Sequence, residues 1–81
     1  MMILFNHKGY VGYAEFDEEA GIFSGQVINI SRDVVTFWGE TVEESQKEFI
    51  ISVDGYLEFC QQQNSLPEPP NNNQNQEFQL N

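Results

Sequence analysis

The stretch "GETVEESQKEFIISVDGYLEFC", residues 39–60, contains the clearest structural boundary in this sequence. Thr41 stands three positions before Glu44, and this spacing is typical of a capping box, in which each side chain accepts a hydrogen bond from the backbone N–H of the other residue. Glu43 and Glu44 would also lie at the positive end of the helix dipole. We therefore expect a helix that begins at Thr41.

The residues after this cap place apolar side chains at spacings of three, four and seven, the pattern of an amphipathic helix. We expect a helix of about 20 residues that ends near Gln63 or Asn64, ahead of Pro67. Gly55 in its interior costs up to about 1 kcal/mol relative to alanine unless close packing requires it. The stripe that would cover a sheet consists of Val42, Phe49, Ile50, Val53, Tyr56, Leu57 and Cys60.

Three runs before the helix, residues 10–16, 22–30 and 34–39, are rich in aromatic and β-branched residues and predict strands. Parallel strands need a crossover of about a dozen residues, so these short connections predict an antiparallel meander. Gly21 should take a positive φ in the first hairpin loop. The predicted core and packing residues are Phe23, Val27, Phe37, Phe49, Val53, Tyr56 and Leu57.

Phe37 and Trp38 are neighbours in the third predicted strand, so they should point to opposite faces of the sheet. One of them should face the helix. The other should lie on the open face, where an aromatic surface with Tyr10 or Tyr13 would be a candidate contact site.

The composition changes after the helix to proline and amide residues, which cannot bury enough apolar surface to fold alone. We predict a domain over residues 1–66 and a linker over 67–76. Phe78 and Leu80 alternate with polar neighbours, which predicts a short strand over 77–81. The fold class is then α+β in the order β-β-β-α-β, with one helix packed on a small antiparallel sheet.

The charge of the chain restricts its partners. It has 13 acidic and 3 basic side chains, a formal net charge of −10. Such a charge repels phosphates, so we expect no direct nucleic-acid binding. It favours a basic protein partner, although an acidic surface also serves simply to keep a small protein soluble. A chain of 81 residues has a small core, so we expect a homodimer or higher oligomer.

Cys60 is the only cysteine, which excludes an internal disulfide and fits a reducing, cytoplasmic setting. The apolar run over residues 2–5 lacks the features of a secretory leader. No segment approaches the roughly 20 apolar residues of a membrane span. We therefore expect a soluble cytoplasmic protein without a membrane partner.

Little in the sequence points to catalysis. His7 is the only histidine, and no serine stands in a recognisable nucleophile context. A metal-dependent hydrolase would need Asp17, Glu40 and Asp54 to converge, and one sheet with one helix leaves little room for such a cleft. The glycines do not form a phosphate-binding loop and are more typical of bulges or close helix–sheet contacts. We expect a protein that is not an enzyme and holds no cofactor or metal.

Three segments, "GIFSGQV", "VVTFWGETVEES" and "EFIISVDGYLEFC", followed by a proline, resemble the HicB family of antitoxins. Members of this family pair with small basic HicA toxins that cleave RNA. The resemblance covers roughly residues 9–67. It lies in the ordered recurrence of Phe23, Gly25, Val27, Phe37, Gly39, Thr41, Val42, Glu43, Glu44, Phe49, Val53, Asp54, Tyr56, Leu57 and Cys60.

The resemblance implies a partial RNase H-like fold that inhibits by covering the active surface of the toxin. Many family members carry a DNA-binding segment after this domain, and none is expected here. Ser45 departs from the family, which usually has an apolar residue at this position, and the amide-rich residues 71–81 replace its usual closing segment. An orphan interaction protein that kept the fold and the oligomer without a toxin is the alternative. The predicted contacts to a basic partner are Asp17, Glu18, Glu19 and Glu40.

Overall fold

The computed structural model describes residues 1–71, which form four strands followed by one helix. The strands are β1 (Met2–His7), β2 (Tyr10–Asp17), β3 (Ile22–Val27) and β4 (Thr36–Gly39), and the helix is α1 (Val42–Gln62). The strands form one antiparallel sheet in the order β1-β2-β3-β4. The α+β class is confirmed. The strand predicted over 77–81 lies outside the described residues, as does the second half of the predicted linker, residues 72–76.

Strand β1 was not predicted, so the three-stranded meander is wrong by one strand. Ile3 and Phe5 face the helix, whereas Met2 and Leu4 lie on the opposite face and are exposed. Apolar residues on both faces hide the alternation that marks a half-buried strand. The turn to β2 places Lys8 and Gly9 at φ 54° and 86°, as two-residue hairpin turns with two positive φ angles require.

Strands β3 and β4 are shorter than the predicted runs 22–30 and 34–39. The N–H of Ile28 still donates to the carbonyl of Val11, and after it a buried amide makes the contact with β2. The side chain of Asn29 accepts a hydrogen bond from the N–H of Val11 at 2.9 Å and donates one to the carbonyl of Gly9, also at 2.9 Å. Asn29 thereby fixes the end of β3 to the first residues of β2 while the chain turns into the loop before β4.

The core lies between the sheet and α1. Phe49 is fully buried, and its ring centroid lies 5.8 Å from that of Phe5 and 5.3 Å from that of Phe37. The predicted core residues Phe23, Val27, Phe37, Phe49 and Val53 are buried, and Tyr56 and Leu57 pack at the margin. Four further members of the central cluster were not predicted, namely Phe5, Tyr10, Ala14 and Val35.

One of the two hydrogen bonds of the predicted capping box forms at the start of α1. The hydroxyl of Thr41 accepts a hydrogen bond from the N–H of Glu44 at 3.0 Å. The carboxylate of Glu44 accepts from the N–H of Glu40 at 2.6 Å, and not from Thr41 as predicted. The second contact is therefore displaced by one residue, and it ties the end of β4 to the first turn of the helix.

Two glycines allow the helix to lie close to the sheet, as predicted. A Cβ atom on Gly39 would lie 2.5 Å from the backbone nitrogen of Ser45, and one on Gly12 would lie 2.7 Å from the ring of Phe49. Gly55 differs, since a Cβ there would meet nothing within 4 Å. Packing therefore does not require the glycine inside α1.

Candidate protein-interaction surface

Helix α1 covers one face of the sheet, and the opposite face carries side chains in register across all four strands. The pairing of the strands aligns them in two rows. We call this the open face. No helix in residues 1–71 covers it. The first row consists of Met2, Glu15, Ser24 and Trp38, and the second consists of Leu4, Tyr13, Gln26 and Thr36.

The open face exposes large apolar side chains. Met2 is 68% exposed, Leu4 65% and Trp38 57%. The phenol of Tyr13 donates a hydrogen bond to Glu15 at 2.7 Å, and this contact raises the pKa of Tyr13. The predicted aromatic surface is therefore formed by Trp38 and Tyr13. Tyr10, the other candidate, is buried on the helix side.

A shallow groove of about 800 Å³ continues from the open face across β4 to the side of α1. Trp38 and Tyr13 line it on the sheet, and Glu48 and Ser52 line it on the helix. The hydroxyl of Ser52 donates a hydrogen bond to the carbonyl of Thr36 at 3.0 Å. Because β4 is the last strand of the sheet, this contact closes part of an exposed strand edge, the kind of edge that otherwise pairs with other chains.

The four predicted partner contacts lie at one end of the sheet. Asp17 is the last residue of β2, Glu18 and Glu19 lie in the turn between β2 and β3, and Glu40 lies in the connection between β4 and α1. Phe23 pairs with both Phe16 and Gly39, which brings these two connections side by side. The first turn of α1 adds two more exposed acids. We call this group the acidic end; its members are Asp17, Glu18, Glu19, Glu40, Glu43 and Glu44.

Asp17 also shapes its own turn. Its carboxylate accepts hydrogen bonds from the N–H groups of Glu19 at 3.0 Å and Ala20 at 3.2 Å. Its carbonyl accepts from the N–H of Gly21 at 2.7 Å, and Gly21 has a φ of 73°, as predicted. Glu18, Glu19 and Glu40 are exposed and make no ion pair within residues 1–71. Of the four predicted contacts, Asp17 is thus the one with a structural role.

Most of the positive charge lies at the opposite end of the sheet and is already paired. Asp54 lies 2.9 Å from the imidazole of His7 and 3.0 Å from the ammonium of Lys8. Arg32 lies 3.1 Å from Asp33. Hydrogen bonds from His7 and Lys8 lower the pKa of Asp54, and that from Arg32 is the main cause of the lowered pKa of Asp33.

The three acids that a metal-dependent hydrolase would need do not lie together in the fold. Asp17 and Glu40 lie at the acidic end, whereas Asp54 binds His7 and Lys8 at the other. Within residues 1–71, no group of three or more histidine, cysteine, aspartate or glutamate side chains could hold a metal ion. The described geometry therefore gives no support to that hypothesis.

Glu68 is a second acid with a structural role, and this role was not predicted. The carboxylate of Glu68 accepts hydrogen bonds from three successive backbone N–H groups of the β3–β4 loop, at 2.7 Å from Ser31, 2.7 Å from Arg32 and 3.0 Å from Asp33. Successive N–H groups that converge in this way form an anion-binding nest. These donors lower the pKa of Glu68.

Two tyrosines hold the backbone of Glu68 from either side. The hydroxyl of Tyr10 donates to the carbonyl of Glu68 at 2.6 Å, and the N–H of Glu68 donates to the hydroxyl of Tyr56 at 2.7 Å. Burial raises the pKa of both tyrosines. Further along, the N–H of Asn71 donates to the carbonyl of Asn29 at 2.9 Å. The chain thus keeps contact with the domain to Asn71, beyond the boundary predicted at residue 66.

No protein family, curated protein or solved structure matches this chain. The similarity to HicB antitoxins therefore stays a prediction from the sequence. In residues 1–71 no helix is both long and apolar enough to cross a membrane.

Proposed function

We propose that this protein is a non-catalytic, cytoplasmic binding protein that neutralises a basic protein by covering its surface. The resemblance to HicB antitoxins implies that this partner is a HicA-type toxin that cleaves RNA. Under this proposal the sheet and helix belong to a partial RNase H-like fold. The observation that carries the proposal is the acidic end, whose exposed carboxylates adjoin the apolar residues of the open face.

The two surfaces have different roles in the proposed complex. Complementary charge accelerates encounter and excludes wrong partners, and mutation of rim charges mainly changes the association rate. Exposed aromatic side chains supply apolar area and act as anchors once they are desolvated. Trp38 belongs to the first row of the open face and stands two positions before Glu40 of the acidic end. A basic protein can thus be attracted by the carboxylates and held by Trp38, Met2 and Leu4.

The first experiment is a search of the neighbouring reading frames for a short basic protein, then co-purification of the two proteins and an RNA-cleavage assay. The absence of such a reading frame would count against the antitoxin function. We expect a stoichiometric complex at low salt and loss of cleavage once the two proteins are equimolar. Binding should weaken as salt rises, because exposed charge pairs are screened. No complex at low salt, or a complex that still cleaves RNA at full rate, would reject the antitoxin function in favour of an orphan interaction protein.

Substitutions separate the two surfaces. Glu18→Lys, Glu19→Lys and Glu40→Lys should each slow association, and together they should slow it by about tenfold or more. Glu58→Lys, on the exposed side of α1, is the control for each single charge reversal. Trp38→Ala should accelerate dissociation, and Ile51→Ala, at a helix position that is 54% exposed, should not. Asp17 is left unchanged because it shapes the turn. Equal effects of each variant and its control would place the interface elsewhere.

A further inference from the structure

A second exposed apolar surface lies at the end of the molecule opposite the acidic end. Val34 is 78% exposed, Phe59 60% and Leu66 86%. These three side chains line one groove of about 670 Å³, together with Tyr56 and Cys60. We call this surface the helix-end patch. It is separate from the open face, and the proposed function does not use it.

The helix-end patch is close to electrically neutral. Its charged residues, Arg32 and Asp33, pair with each other, and Arg32 also donates to the carbonyl of Leu66 at 3.2 Å. The carboxylate of the nearby Glu68 is bound to the loop N–H groups. A basic partner would therefore gain no electrostatic attraction here.

Neutrality makes this surface the one at which a second copy of this acidic chain can dock. Two copies with a charge of −10 each repel one another wherever their acids approach. Helix α1 has 21 residues, which at 1.5 Å per residue separates its two ends by about 30 Å. This distance is several times the Debye length of about 8 Å at physiological salt. Contact at the helix-end patch thus keeps the two acidic ends outside the range of strong repulsion.

We propose that the protein forms a two-fold symmetric dimer through the helix-end patch, with Phe59 of each copy packed into the groove beside Tyr56 of the other. A two-fold interface uses the same patch on both subunits and so closes on itself. Both acidic ends and both open faces then point away from the contact. The dimer presents two independent surfaces for a basic partner, and it forms without that partner.

The test is sedimentation equilibrium of the full chain alone, over a range of protein concentrations and at low and high sodium chloride. We expect a dimer whose dissociation constant is unchanged or falls as salt rises, because salt screens the residual repulsion between acidic copies. Phe59→Asp and Leu66→Asp should each raise that constant by about 30-fold or more, the effect of removing an interface anchor. Unchanged helical circular dichroism and an unchanged melting temperature would show that these exposed positions do not alter folding.

Two controls decide between surfaces. Ile51→Asp introduces the same charge at an exposed apolar position on α1, and Leu4→Asp does so on the open face; both should remain dimeric. A monomeric wild type at all concentrations, or a dimer that survives Phe59→Asp and Leu66→Asp, would overturn the proposal. A dimer lost in Leu4→Asp alone would assign the contact to the open face. Because no partner is present, failure here is distinct from failure of the toxin-binding assay.

Discussion

The carboxylate of Glu68 lies 2.7 Å from the backbone nitrogen of Ser31, 37 positions earlier in the chain. This contact closes the loop between β3 and β4 with a residue that follows α1. The same carboxylate accepts from the next two N–H groups of the loop. One acidic side chain therefore satisfies three neighbouring backbone donors of the loop.

We expect Glu68→Gln to lower the thermal unfolding midpoint. The amide keeps the shape of the side chain but loses the charge and one acceptor oxygen, and bonds to charged acceptors are the stronger ones. Glu58→Gln is the matched control, since Glu58 is exposed on α1. Differential scanning calorimetry of the two variants gives the comparison. Equal midpoints would mean that the loop does not need the Glu68 charge.

The contribution of Glu68 should depend on pH. Its folded-state pKa lies below the ordinary value of 4.5, so the stabilisation is present above about pH 4.5 and is lost as the pH falls through the lower folded-state pKa. The difference in urea midpoint between wild type and Glu68→Gln should thus be largest near neutral pH and shrink in acid. A difference that stays constant from neutral pH to about pH 3 would contradict the electrostatic explanation.

The N-cap of α1 gives a prediction with a known magnitude. Thr41→Ala removes the side-chain acceptor for the N–H of Glu44 and should lower the free energy of unfolding by about 1 kcal/mol. Thr41→Ser keeps an acceptor oxygen and should change it little. Urea denaturation of both variants measures the effect. If serine and alanine destabilise equally, the methyl group and not the hydroxyl is responsible.

Two glycines should respond to alanine in opposite directions. Gly39→Ala would place Cβ 2.5 Å from the backbone of Ser45, and such overpacking should cost about 1–3 kcal/mol. Gly55→Ala meets nothing within 4 Å in the interior of α1 and should stabilise the protein by about 0.5–1 kcal/mol. Denaturant midpoints report both changes. Destabilisation by Gly55→Ala would show that another contact requires glycine there.

The sequence predicted features that depend on local signals. The hydroxyl of Thr41 marks the start of α1, and the three- and four-residue spacing after it places Phe49 and Val53 in the core. The acids of the β2–β3 turn and Gly21 likewise signal a tight connection. In each case the residues that determine the structure are close together in the chain.

The features that were missed depend on contacts between distant residues. Apolar side chains on both faces of β1 conceal its alternation, although the Lys8–Gly9 turn between two apolar runs was an available signal. Nothing near Glu68 indicates that its partners are the N–H groups of residues 31–33. The proline- and amide-rich composition of residues 67–76 predicts a linker, because residue propensities carry no information about a carboxylate that binds a distant loop.

Trp38 has a further consequence as the only tryptophan in the chain. It stands on the open face, 57% exposed, while phenylalanines fill the core. Its fluorescence emission therefore reports the solvent at that face and changes little when the core unfolds. For this molecule the intrinsic fluorophore should report the binding that we propose at the open face, and unfolding should be followed by another probe such as circular dichroism.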